Sequence, residues 1–217
     1  KRQALNNPID NFINELKTSL VRNNLSSKYF IKPVYNDFSI DFVSTIKSVN
    51  SAPLYVLLNL VNSESHNYTA EVVFRHSLNN WSHDFPNVKY TKWLNDQNFD
   101  SDDFIFADAS GLSRENRVTT YGLSQFLRRM QLSRYSDYYF SSFSILGVRG
   151  SLKNVKAPIN LKGRILAKSG RLSNVRSISG VILGKDKIFS IIVNNKENST
   201  KNIINILSIV DNTNYCN

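Results

Sequence analysis

The last third of this chain is punctuated so tightly that it leaves little room for anything but a small sheet closed by a helix. After Gly163, Arg164 to Lys168 read as one strand and Val175 to Leu183 as a second. Gly184-Lys185-Asp186 makes a turn, and Ile188 to Val193 follow as a third strand. The last two runs are near enough in sequence to form a hairpin. Asn198 or Ser199 then opens a final helix with Ile203, Ile206, Leu207 and Val210 on its apolar stripe.

Upstream the pattern is mostly helical. Asn7-Pro8 places a capping side chain and a preset φ ahead of Ile9, Phe12, Ile13, Leu16 and Leu20, which predicts an amphipathic helix ending near Asn23-Asn24. Phe38, Ile40 and Phe42 alternate within Phe30 to Ile46, as in short strands. Ser51-Ala52-Pro53 opens a second helix with Leu54, Leu57, Leu58 and Val61 inward. Ser65 to Asn67 fall in the break after it, and a third helix follows with Ala70, Val73 and Phe74 on one face. Residues 80 to 103, with Trp81, Pro86 and Trp93 among many Asn and Asp, read as a connection holding a short helix. Thr119 or Thr120 caps another helix, whose stripe is Leu123, Phe126, Leu127 and Met130.

Composition narrows the function classes. At 217 residues with 41% hydrophobic and 12% aromatic side chains, the chain can bury a sizeable core. Its net charge of +10 suits nucleic acid, anionic envelope polymers or peripheral contact with a membrane surface. Lys1-Arg2, Arg128-Arg129, Lys162-Arg164 and Lys185-Lys187 are dispersed, however, and no recognition helix or aromatic RNA-binding strand accompanies them, so no nucleic acid is expected as a partner. His66, His76 and His83 lack metal-ligand partners at a recognised spacing, so neither a metal nor another cofactor is expected. The single Cys216 cannot form an internal disulfide. No apolar run approaches the roughly 18 residues that span a bilayer, and no signal peptide is expected within these residues. A chain starting at Lys1 is expected to be a processed product or a fragment.

Two short strings bear on chemistry: Ser65-His66-Asn67 and Lys168-Ser169-Gly170 have the forms of the S-x-N loop and the K-[TS]-G strand of penicilloyl-serine active sites. Taken without their neighbours, Ser65 would cap the third helix, Asn67 would lie in its first turn and Lys168 would be a solvated strand residue. With those neighbours the first string extends to Ser65-His66-Asn67-Tyr68-Thr69-Ala70-Glu71. It resembles the S-x-N-x-x-A-E segment of the D-alanyl-D-alanine carboxypeptidase/endopeptidase family, the class C low-molecular-mass penicillin-binding proteins. Asp108-Ala109-Ser110-Gly111-Leu112-Ser113-Arg114 is similar to that family's D-G-S-G-L-S-R, Gly147 to Leu152 to its G-x-x-G-T-L, and Ala167-Lys168-Ser169-Gly170 to its A-K-T-G. Four landmarks in one order are hard to obtain by chance. The departures are Ala109 for Gly, Arg149 for an acidic or small residue, Ser169 for Thr, and Arg171 for a small hydroxyl residue.

The resemblance implies an α/β (α+β) fold of β-lactamase/transpeptidase type, an antiparallel sheet flanked by helices, with Arg164 to Ser169 as the binding strand. It implies that residues 1–50 are the end of an inserted domain and the return to the catalytic domain, and that 51–217 are the C-terminal part of that domain. Ser65 would relay a proton to the leaving D-Ala amine, and Asn67 would bond the substrate amide and position the nucleophile's Lys. Lys168 would supply positive charge, Ser169 would bond the substrate carboxylate, Gly170 would let the peptide approach the strand edge, and the Arg171 N–H would be an oxyanion donor. Asp108 and Ser110 to Arg114 would form a turn near the cleft. The nucleophile is not identified. Ser44-Thr45-Ile46-Lys47 has the S-x-x-K spacing but lies on a segment read as strand and connection, where positions i and i+3 face opposite ways. The implied partners are peptidoglycan stem peptides, β-lactams as inhibitors and a missing N-terminal part of the same protein, all in the periplasm or extracytoplasmic envelope. The rival readings are a non-catalytic relative that binds peptidoglycan or a protein partner through the same groove, and a basic nucleic-acid-binding domain.

Overall fold

The computed structural model describes residues 7–25, 48–81, 87–194 and 200–213. The expected strands between Phe30 and Ile46, the Ser44 to Lys47 string, His83, Pro86, Asn198, Ser199 and Cys216 lie outside the described residues. The chain divides into two units, Lys1–Asn50 and Ser51–Asn217. In the first, α1 (Pro8–Arg22) begins where the Asn7 side chain accepts a bond from the Asp10 N–H at 3.2 Å, with proline in the first turn. It stops at Asn23, and Asn24 takes a left-handed φ of 57°. This is the start and stop that Asn7-Pro8 and Asn23-Asn24 predict.

The second unit is built on a four-stranded sheet in the order β3 (Ser144–Ile145), β4 (Ile165–Leu172), β5 (Val175–Ile182), β6 (Lys187–Asn194), antiparallel throughout. A separate two-stranded sheet pairs β1 (Phe104–Ile105) with β2 (Arg117–Val118). Paired residues share a face of a sheet and successive residues alternate. One face of the larger sheet therefore carries Ile165, Ala167, Ile178, Ile182 and Phe189, buried with Ile203, Ile204 and Leu207 of α7 (Thr200–Asn212). The other carries Leu166, Val181 and Ile188, packed on Leu127 of α5 (Thr120–Gln131) and on Phe140 of α6 (Ser136–Ser141). Thr119 caps α5 by accepting from the Gly122 N–H at 2.9 Å.

Three further helices of this unit are α2 (Leu54–Asn62), α3 (Asn67–Ser77) and α4 (Asn87–Asp96). Tyr90 and Leu94 of α4 bury Phe104, with Phe74 of α3 packed against them. Neither α2 nor α3 has a fully buried residue. Leu54, expected inward, is 60% exposed, because it opens the first turn of α2 ahead of the half-buried Leu57, Leu58 and Val61. Ile206 is 38% exposed while Ile204 is buried, so the contact stripe of α7 keeps the expected Ile203, Leu207 and Val210 and takes Ile204 in place of Ile206.

β4 runs four residues beyond Lys168, to Leu172. Ser173-Asn174 then joins β4 to β5, with Asn174 at a φ of 61°, so this connection is a second hairpin, as two-residue turns favour. β3 pairs β4 only at Ala167 and Leu166. From Lys168 to Leu172, β4 has β5 on one side, and among the described residues no strand continues β3 along the other.

Candidate active site

Alternation decides where Lys168 points. It follows Leu166 on the α5/α6 face and sits opposite Ser179, whose hydroxyl pairs with that of Ser190 at 3.0 Å. The Lys168 ammonium donates to Ser65 Oγ at 2.9 Å and to the Ser169 carbonyl at 2.7 Å. Burial pushes its pKa down from the usual lysine value, because the charged form loses water that two oxygens only partly replace.

Ser65 reaches this ammonium because it does not cap α3. The cap is His66, whose ring Nδ1 accepts from the Thr69 N–H at 3.4 Å and pairs with Thr69 Oγ1 at 2.7 Å. The His66 N–H donates back to the Leu60 carbonyl at 2.9 Å, and Ser65 is left at a φ of 55°. Non-glycine residues seldom adopt this left-handed geometry, and here it turns the hydroxyl away from the helix end. Asn67, the first residue of α3, is exposed and lines the same cleft.

Ser65, Asn67, Lys168, Ser169, Gly170 and Arg171 all line one cleft of about 1010 Å³. A Cβ on Gly170 would fall 2.4 Å from Ser177 Oγ, so glycine keeps that hydroxyl uncovered. Arg171 stands directly across from Arg176, whose guanidinium donates to the Leu172 and Val175 carbonyls at 3.1 and 3.2 Å. Ser169 Oγ touches Ser151 Oγ at 3.1 Å, and Ser151 touches Ser144 Oγ at 3.0 Å.

The facing wall is the loop from Asp108 to Arg114. Burial by itself would raise the Asp108 carboxyl, but hydrogen bonds from Asn116, Ser110, Ser113 and Gly111 outweigh it and hold its pKa below the ordinary value. Glu71 Oε1 accepts from the Ala109 and Ser110 N–H groups at 2.7 and 3.1 Å. Arg114 donates to the Ser173 carbonyl at 3.2 Å, tying the loop to the β4–β5 turn. Sequence reasoning assigned no role to Glu71 or Ser151. Their signal was present, since each lies inside one of the four landmark strings, but the partners of Glu71 are 38 and 39 residues away and Ser169 is 18 from Ser151, which leaves no local pattern.

An ammonium, several serine hydroxyls and an open strand edge in one cleft suit an anionic, extended ligand and a proton relay through Ser65. Among the described residues no group of three His, Cys, Asp or Glu could hold a metal, and no helix is long and apolar enough to cross a membrane.

No curated protein matches the chain significantly. Among solved structures, penicillin binding protein 4 (dacB) from Haemophilus influenzae, complexed with a novel β-lactam, superposes with a TM-score of 0.73 at 22% identity, over 90% of this chain and 46% of that one. The Bd0816 predatory endopeptidase from Bdellovibrio bacteriovorus, in complex with immunity protein Bd3460, gives 0.58 at 17% identity, over 96% of this chain and 56% of that one. Penicillin G-acylated Bd3459 from the same organism gives 0.56 at 16%, over 96% and 57%. At such identities the likeness shows the fold, and the chain spans only about half the length of these proteins. The family model for D-Ala-D-Ala carboxypeptidase 3 (S13) matches residues 36–213, most of the sequence, and the chain belongs to that family of serine peptidases.

Proposed function

We propose that this chain carries the carboxylate-binding and proton-relay side of a D-Ala-D-Ala carboxypeptidase/endopeptidase site that works on peptidoglycan stem peptides through an acyl-enzyme. One observation carries the reading: Lys168 and Ser65, 103 residues apart in sequence, are hydrogen-bonded at 2.9 Å in the cleft that Asn67, Ser169 and Gly170 also line.

A substrate peptide lies along the open edge of β4, where Gly170 adds no bulk and Ser169 bonds its terminal carboxylate. The nucleophilic Ser and its Lys are not among the residues assigned to the cleft. The nucleophile's oxygen attacks the penultimate D-Ala carbonyl, and its proton passes through that Lys and Ser65 to the amine of the departing D-Ala. Asn67 bonds the substrate amide, and the Arg171 N–H donates to the oxyanion. Lys168 keeps the Ser65 oxygen oriented and adds positive charge beside the carboxylate. Water then releases the acyl group. β-Lactams fit the same cleft as acylating inhibitors; one structural neighbour is complexed with a β-lactam and another is acylated by penicillin G. A net charge of +10 suits an extracytoplasmic site beside anionic wall polymers.

Calorimetric titration with a D-Ala-D-Ala-terminated peptide tests this. Binding is expected for the parent chain, and Lys168→Ala is expected to weaken it about tenfold to a hundredfold, the cost of a charge-assisted hydrogen bond to a carboxylate. Equal binding by parent and variant would remove Lys168 from the site. A fluorescent penicillin is expected to leave the isolated chain unlabelled, since neither Ser65 nor Ser169 has a Ser-x-x-Lys lysine to deprotonate it.

A further inference from the structure

We infer that Ser151 is a positioning residue that sets the direction in which the Ser169 hydroxyl donates, and so governs selection for a ligand carboxylate; the inference rests on the reading of the cleft just given. Four residues from three separate parts of the chain form a file. Ser169 Oγ lies 3.1 Å from Ser151 Oγ, Ser151 Oγ lies 3.0 Å from Ser144 Oγ, and Ser144 Oγ lies 3.1 Å from the Ser63 carbonyl oxygen. The Ser151 backbone N–H also donates to the Ser63 carbonyl at 2.9 Å and lies 3.1 Å from Ser144 Oγ. Ser63 and Ser144 are fully buried, whereas Ser151 is exposed at the cleft.

Each hydroxyl has one hydrogen, so the file admits two continuous orders. In the first, Ser169 donates to Ser151, Ser151 to Ser144, and Ser144 to the Ser63 carbonyl. Ser169 then shows only lone pairs to the cleft, which would repel a carboxylate. In the second, Ser144 donates to Ser151, Ser151 to Ser169, and the Ser169 hydrogen points into the cleft. The Ser63 carbonyl is not orphaned by the reversal, because the Ser151 N–H still donates to it. Neither order leaves a buried group unpaired, so an arriving anion can select the second at little cost, and each bond in the file polarises the next.

Gly150 holds the file together. At its φ of 68° an added Cβ would stand 2.3 Å from Ser63 Oγ and 2.6 Å from Ser144 Oγ, so only glycine lets the turn bearing Ser151 sit this close to both serines. Ser151 itself, being exposed, can lose its hydroxyl without a cavity.

The test compares two ligands, a D-Ala-D-Ala-terminated peptide with a free carboxylate and the same peptide as its C-terminal amide, on the 217-residue chain. Parent protein is expected to prefer the carboxylate. Ser151→Ala is expected to weaken carboxylate binding by about threefold to tenfold, the range of a single hydrogen bond, with amide binding and melting temperature unchanged. Ser151→Thr, which keeps the hydroxyl, is expected to restore the preference. A Ser151→Ala protein with the parent's carboxylate preference would overturn the inference and leave the cleft reading standing, as would a parallel loss for both ligands. A parent protein with no preference between the two would overturn the cleft reading, and the inference with it.

Discussion

The two walls of the cleft are held by opposite kinds of force. Lys168 and Ser169 stand on a strand whose preceding residues, Ile165 and Ala167, are completely buried between neighbours on β3 and β5 and under α7. Ser65 and Asn67 stand at the junction of α2 and α3, two helices without one fully buried side chain. That junction is fixed by polar contacts instead: the Ser63 carbonyl bound by Ser144 and Ser151, Asn62 bonded to Ser142 Oγ at 2.8 Å, and Glu71 bonded to the Asp108 loop. Burial of apolar area is large and non-directional, whereas hydrogen bonds contribute little net energy but specify distance and angle. The strand wall therefore carries stability and the helical wall carries placement.

The sharpest way to break this contrast is to shorten an apolar side chain on each wall. Ile165→Ala is expected to cost about 4 kcal/mol, since the site is fully buried and the sheet cannot collapse into the cavity. Leu57→Ala, on half-buried α2, is expected to cost about 1 kcal/mol. Urea unfolding of both variants measures the difference, and equal losses would show that the walls share one core. Gly150→Ala attacks the junction itself. It forces a side chain at positive φ against Ser63 and Ser144, and a loss of about 3 kcal/mol is expected, together with displacement of Ser65 from Lys168. A variant as stable as the parent would mean that the junction yields easily and that its polar contacts do not place Ser65.

How legible each wall was in the sequence follows the same division. Asn7-Pro8 and Thr119 announced α1 and α5 through side-chain caps, and Gly184 to Asp186 announced the β5–β6 turn, because these signals act within a few residues. The continuation of β4 past Ser169 was missed, since Gly170-Arg171 has no apolar alternation to mark a strand and is held in register by Ser177 and Arg176 of β5. β3, of two residues, and the six-residue α6 are too short to show any period. Leu54 and Ile206 belong to apolar stripes whose outer edges tertiary packing left exposed. The candidate site was legible only through resemblance: Ser65 turns toward Lys168 because His66 takes the cap, and a choice between neighbouring capping residues is decided by the fold.

Glu71 offers a smaller and more selective cut into the helical wall. Its carboxylate receives two backbone N–H groups of the Asp108 loop and pairs with Arg75 at 3.5 Å. Glu71→Gln keeps the shape and one acceptor oxygen but removes the charge from both bonds, and a loss of about 1 to 2 kcal/mol is expected. Hydrogen exchange at the Ala109 and Ser110 amides should rise while β4 and β5 stay protected, because opening of the loop exposes no core. Faster exchange in the strands as well would show that the loop and sheet unfold together.

The smallest expected effect concerns Lys168, whose ammonium joins the strand wall to Ser65 of the helical wall. Burial lowers its pKa in the folded chain, so between that lowered value and its ordinary value of 10.5 the unfolded chain holds more protons than the folded one, and stability rises with pH across this window. Below the window both states are protonated and the full cost of desolvating the ammonium is present. Lys168→Met, similar in length and without charge, should therefore raise the melting temperature at neutral pH while weakening ligand binding, and the gain should shrink as the pH approaches 10.5. A gain that held constant through that range would trace to packing alone. A variant less stable than the parent at neutral pH would mean that the bonds to Ser65 and the Ser169 carbonyl outweigh the desolvation cost, and that the strand wall depends on the helical one.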